Sequence, residues 1–63
     1  MYYTLERIDA DGYRVGNIVL VEPTSFTDAR AFIKEFFVNN ACTRMIEAIL
    51  YDSSGKIVAS HAA

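Results

Sequence analysis

The sequence predicts an α+β fold: a four-stranded antiparallel sheet in ββαββ order, made of two hairpins, with one helix packed across one face. Three observations carry this expectation. One stretch, Pro23 to Asn40, has helical periodicity; the segments on either side are rich in branched and aromatic residues; and each flanking pair of segments is joined by a short turn ending in glycine. The strand directions permit the order 2-1-3-4, with the first and third strands at the centre.

The first strand is expected over Tyr2 to Ile8. It has no clean alternation, so the row Met1, Tyr3, Leu5 competes with the row Tyr2, Thr4, Ile8 for the buried side. Asp9, Ala10, Asp11 and Gly12 follow, ending in the Asp-Gly pair that supplies the positive backbone angle of a hairpin turn. The chain returns over Tyr13 to Val21, where the run Ile18, Val19, Leu20, Val21 is apolar on both sides, as in strands covered on both faces. Gly16 interrupts this segment and marks a bulge.

Pro23 closes the second strand, and Ser25 with Asp28 three residues on reads as a capping box for the helix. Phe26, Ala29, Phe32, Ile33, Phe36 and Phe37 fall within an arc of roughly 140°, while Thr27, Asp28, Lys34 and Glu35 lie outside it. This stripe holds all four phenylalanines of the chain. Asn39 and Asn40 tolerate the left-handed conformation that stops a helix. Thr43 to Tyr51 then places Ile46, Ala48 and Leu50 on one side and Met45, Glu47, Ile49 and Tyr51 on the other. A second turn, Asp52 to Gly55, leads to a short last strand, Lys56 to Ser60, and the tail from His61 is expected to fray.

The chain of 63 residues makes a single domain, 1–63, with 52% hydrophobic residues and a net charge of -2. Its basic residues are scattered, so direct binding to nucleic acid is not expected. One cysteine leaves no internal disulfide and fits a reducing cytoplasm. The start Met1, Tyr2, Tyr3, Thr4 has no secretory pattern, and no apolar run approaches the length of a membrane span, so a cytoplasmic protein is expected.

Catalytic and cofactor chemistry find little support, and no enzyme activity, cofactor or metal is expected. Cys42 follows the C-terminal end of the helix, where the dipole disfavours a thiolate, and His61 reads as a solvated residue near the chain end. One Cys and one His cannot close a tetrahedral metal site. Asp9, Asp11 and Gly12 resemble the opening of a calcium loop, but no acid follows at its bidentate position. The glycines form no phosphate-binding motif.

The remaining lead is a surplus of apolar rows. One helix covers one side of the sheet, yet both rows of several strands are apolar, so the uncovered side is expected to be a protein interface. Tyr3, Tyr13, Met45, Ile49 and Tyr51 are its candidate contacts. Glu6, Asp9 and Asp11 at the first hairpin, with Asp52 at the second, are expected to form an acidic rim that steers a basic partner. Arg7, Arg14 and Arg44 are candidate cross-strand partners for these acids. The occupant is another protein or protein complex, or a second copy in a homodimer.

The helix start Ser25, Phe26, Thr27, Asp28, Ala29, Arg30 and the hairpin from Met45 to Val58, in a short chain of this element order, resemble small phage-encoded inhibitors of the anti-CRISPR type. The likeness spans Tyr3 to Ala59 and carries over no binding residue. It implies a compact non-enzymatic protein that blocks a nucleic-acid-handling complex by steric occlusion, in the host cytoplasm if phage-encoded.

Overall fold

The structure is a computed structural model that describes residues 2–40 and 44–63. Its strands are β1 (Tyr3–Ile8), β2 (Val19–Val21), β3 (Glu47–Tyr51) and β4 (Ile57–Ala62), with a short 3-10 turn at Pro23–Ser25 and the helix α1 at Ala29–Asn39. The strands form one antiparallel sheet, as the sequence predicts, in the order β2-β1-β3-β4 that the strand directions permit.

The core lies between α1 and one face of the sheet. Leu5 and Leu50 face each other across the central strands, and Ile33 of α1 is buried with them; Val21, Ala48 and Ala59 complete the cluster. The whole predicted stripe of Phe26, Ala29, Phe32, Ile33, Phe36 and Phe37 packs on this side. Tyr3 and Val19 join it, which decides the buried row of β1 in favour of Tyr3 and Leu5.

The helix begins later than predicted. Ser25 does not cap it; the cap is Asp28, whose Oδ1 accepts from the Arg30 amide at 3.0 Å. Phe26 is extended, with φ -155° and ψ 155°, and in that conformation its ring stacks on Phe32 at 4.6 Å and leans on Tyr3 at 5.8 Å. Tertiary stacking therefore wins over the further turn of helix that Ser25 could have started. The far end also departs from expectation. Asn40 has φ -117°, not a left-handed angle, and closes the helix by giving both its amide N–H and its side-chain Nδ2 to the Phe36 carbonyl, each at 3.0 Å.

β2 is much shorter than the predicted Tyr13–Val21. Arg14 pairs with Ile8, and Val19 with Leu5, so the return strand holds extra residues between the two pairings. Gly16 lies there with φ 75°, and a Cβ built on it would come within 2.6 Å of Arg7 Nη2. The bulge expected at Gly16 is thus a loop folded over the Arg7 guanidinium, which donates to the Asn17 carbonyl at 3.2 Å. At the other end of the chain the predicted fray is absent: β4 runs through His61, whose ring meets Phe37 edge-on at 5.0 Å. β3 begins at Glu47, later than the predicted Thr43, and the start of that predicted strand, with Cys42, lies outside the described residues.

The two hairpins use the same five-residue turn. The Asp9 amide donates to the Tyr13 carbonyl and the Gly12 amide to the Asp9 carbonyl, while Asp52, Lys56 and Gly55 repeat the arrangement. Gly12 and Gly55 carry the positive φ, 85° and 88°. This is the three-residue hairpin loop with glycine in the left-handed position. In each turn the aspartate Oδ1 accepts main-chain amides, those of Asp11 and Tyr13 in one and those of Ser54 and Lys56 in the other.

Two outcomes follow from this packing. Ile33→Ala should lower the unfolding free energy by about 2–5 kcal/mol, measured by urea denaturation, because Ile33 is fully enclosed. At Asp52 the Ser54 hydroxyl, followed by the Lys56 amide, holds the carboxyl below its ordinary 3.8. The stability it contributes is complete above that unfolded value and is lost as pH falls through the lower folded one. Asp52→Asn should therefore flatten the acid limb: its urea midpoint should fall less than the parent's between neutral pH and strong acid.

Candidate protein-binding face

Among the described residues, no helix or strand forms a layer over the face opposite α1. Register assigns its side chains. Thr4 lies opposite Leu20 on one side and Tyr51 on the other, and Tyr51 lies opposite Ile57, so Leu20, Thr4, Tyr51 and Ile57 form a row that crosses all four strands. A second row holds Glu6, Ile49 and Ser60, and a third holds Ile8, Glu47 and Ala62. The first row is the apolar one, and its ends are open: Leu20 is 67% exposed and Ile57 is 56% exposed.

Two carboxylates sit among these side chains. Glu6 accepts an ion pair from Arg14, Nε to Oε2 at 3.2 Å, with Arg14 delivered by the first hairpin. Glu6 also adjoins Tyr51 on the diagonal of the β1–β3 pairing. Partial burial, then hydrogen bonding and charge from Glu6, with a smaller effect of the Glu47 charge, raise the Tyr51 phenol above its ordinary 10.0. The phenol is neutral at physiological pH and offers a hydroxyl beside an acid.

The predicted contacts divide. Ile49 and Tyr51 lie on this face, half-buried. Tyr13 is well exposed, at the tip of the first hairpin. Tyr3 is on the other side of the sheet, packed on the core and Phe26, because it shares the parity of Leu5. Met45 is buried, at 4% exposure, and offers nothing to a partner.

The acidic rim also needs correction. Asp9 and Asp11 lie at the Ile8–Glu47 end of the sheet and Asp52 at the Thr4–Tyr51 end, because the hairpins close at opposite ends. Glu6 sits mid-strand rather than in the turn. Asp9 and Asp52 spend carboxylate oxygens on turn amides, and Asp11 is exposed at the first turn. Sequence reasoning missed Thr4, Leu20 and Ile57, and it placed Glu47 on the side of Ile49 and Tyr51 without assigning it a role. Leu20 was legible only as part of a run taken to be covered on both sides, and Ile57 only once the shift in register near Tyr51 placed it.

Elsewhere, a shallow groove of about 280 Å³ runs beside α1, lined by Ser25, Phe32, Glu35, Phe36, Asn39 and Asn40. Among the described residues, no group of three or more His, Cys, Asp or Glu is placed to hold a metal ion, and no helix is long and apolar enough to cross a membrane. No family model, curated protein or solved structure matches this chain.

The coupling of Tyr51 to Glu6 is open to direct test. Glu6→Gln removes the carboxylate and its charge while burial of the ring remains. Ultraviolet titration of tyrosinate formation should show the Tyr51 transition moving down toward 10.0 in the variant without reaching it.

Proposed function

We propose that this chain is a non-catalytic protein-binding module that receives another protein on its uncovered sheet face, and that it works as an inhibitor of the anti-CRISPR type by occluding a nucleic-acid-handling complex. The observation that carries the binding reading is the row Leu20, Thr4, Tyr51, Ile57, with apolar side chains exposed at both of its ends. A flat apolar row next to a Tyr hydroxyl and two carboxylates combines contact area with polar anchor points, the composition that suits a protein interface.

The chemistry favours a foreign partner over face-to-face stacking of two copies. Stacking two copies would bring Glu47 and the Arg14-paired Glu6 of each chain onto the other's face, where two acids against one base leave a net like-charge repulsion. A partner presenting Lys or Arg meets the same carboxylates favourably. Proteins that bind nucleic acid carry such basic surfaces. This complementarity, with the small size and the element order, supports the inhibitor reading. Tyr51, Ile49, Leu20 and Ile57 supply the contacts and Glu6 and Glu47 the steering charge.

The test begins with capture from a host lysate by the tagged chain, followed by mass spectrometry, and continues with the purified captured complex. The parent should retain a nucleic-acid-handling complex and reduce that complex's binding to its nucleic acid. Leu20→Asp and Ile57→Asp should weaken capture by about tenfold or more each, with urea midpoints close to the parent's because both sites are exposed. Equal capture by the parent and both variants would remove the sheet face as the site. Capture of a complex whose nucleic-acid binding is unaffected would remove the inhibitor reading and leave the interface.

A further inference from the structure

The two edges of the sheet differ in a way that the open face does not explain. β2 offers three residues and is followed closely by Pro23, so it is a poor template for another strand. β4 offers six, Ile57 to Ala62, and lies at the opposite margin. Its register fixes which main-chain groups are engaged. The Ala63 amide donates to the Ile46 carbonyl at 2.8 Å, in step with the pairs Ala48–His61 and Leu50–Ala59. Antiparallel pairs alternate between hydrogen-bonded and non-hydrogen-bonded. Ser60 and Ala62 therefore turn their N–H and C=O groups away from β3, toward the outside of the sheet.

Edges of this kind are usually guarded by Lys, Pro or an inward charge. Ile57 to Ala62 contains no Lys, Arg, Asp, Glu or Pro, and its one titratable side chain, His61, is turned inward against Phe37. The shift in register near Tyr51 marks the beginning of the strand and leaves Ser60 and Ala62 regular. We infer that the outer edge of β4 pairs antiparallel with β4 of a second copy of this chain, about a two-fold axis, joining the two sheets into one of eight strands.

Self-pairing is suited to this edge on charge and on size. The side chains brought together on the open face are the small ones of Ser60 and Ala62. The nearest strand carboxylate, Glu47, is on β3, so the two Glu47 strands lie three strand spacings apart, about 14 Å. That exceeds the roughly 8 Å over which charges are felt at physiological salt. The repulsion that opposes stacking of the open faces is thus largely screened at the edge. Pairing of two short strands buries less than the roughly 1,200 Å² of a standard interface, so the association is of the weak, transient kind. The inference concerns main-chain groups of the edge and stands independently of what occupies the face.

Sedimentation equilibrium of the full chain across micromolar to millimolar concentration tests it. The parent should pass from monomer to dimer. Ser60→Pro removes an outward N–H that β3 does not use, and Ser60→Lys adds a guarding charge; each should raise the dissociation constant on the order of tenfold or more with the circular dichroism spectrum retained. Leu20→Asp, on the face and at the other margin, should dimerise as the parent does. A parent that stays monomeric throughout overturns the inference. So does a dimer that survives both folded Ser60 variants, or one abolished by Leu20→Asp, which would assign self-association to the open face. If Ser60→Pro unfolds, the Ser60→Lys result decides.

Discussion

Everything in this fold depends on how one helix of eleven residues seals one side of a four-stranded sheet. At 1.5 Å per residue it is about 16 Å long, and it lies over only part of the sheet. It packs chiefly on β4 and β3, with Ile33 enclosed beside the Leu5–Leu50 pair. The half of the sheet formed by β1 and β2 then needs another cover. Phe26 and Phe32 supply it, and Phe26 meets Tyr3 from extended backbone ahead of the helix. The late start of α1 is therefore part of the same solution: residues that could have lengthened the helix close the core beside it.

What the sequence disclosed and what it hid divide along that line. The two hairpins and the phenylalanine stripe were legible because they follow from periodicity and from the two Asp-to-Gly turns, which are local; the strand order was only one that the strand directions permit, since it rests on the non-local pairing of β1 with β3. The N-terminus of the helix was not. Ser25 and Asp28 are equally acceptable caps, and the choice between them is made by ring stacking across the core. The buried row of β1 was hidden for a related reason. Arg7 follows Tyr3 and Leu5 on the covered side, whereas the competing row ends in the more plausible Ile8. Arg7 is accommodated at the end of the sheet, where the Gly16 loop folds over it and the Asn17 carbonyl accepts a hydrogen bond from it, although its Nε is buried with no partner among the described residues. A loop that exists to house one guanidinium leaves no periodic trace.

The candidate site was legible to a smaller degree, and the residues explain why. Ile49 and Tyr51 were found because β3 alternates cleanly. The acids were misread because a carboxylate in a turn and a carboxylate on a face look alike in one dimension. Asp9 and Asp52 are held by the amides of their own turns, while Glu6, which reads as part of the first hairpin, is brought beside Tyr51 and Ile49 only by cross-strand pairing and joins Glu47 of their own strand there. The functional group of interest is thus a product of register, which the sequence specifies only through the whole sheet.

Face and edge present opposite chemistries, and this sets how they could be used together. The face is a side-chain surface with half-buried carboxylates, and under the proposed reading it suits a partner of opposite charge. The edge is a main-chain surface without charge, indifferent to side chains and therefore available to an identical strand. If two copies pair through β4, the two-fold axis reverses one strand against the other, so Ile57 of each copy lies toward the opposite end of the joined edge. The two apolar rows would then not merge into one longer row. They would stand as separate, equivalent sites on a common sheet, each keeping its own Glu6, Tyr51 and Ile49. Such a dimer would engage two partner molecules, or two copies of one subunit in a larger complex, and gain avidity from the link between them without any new contact at either site.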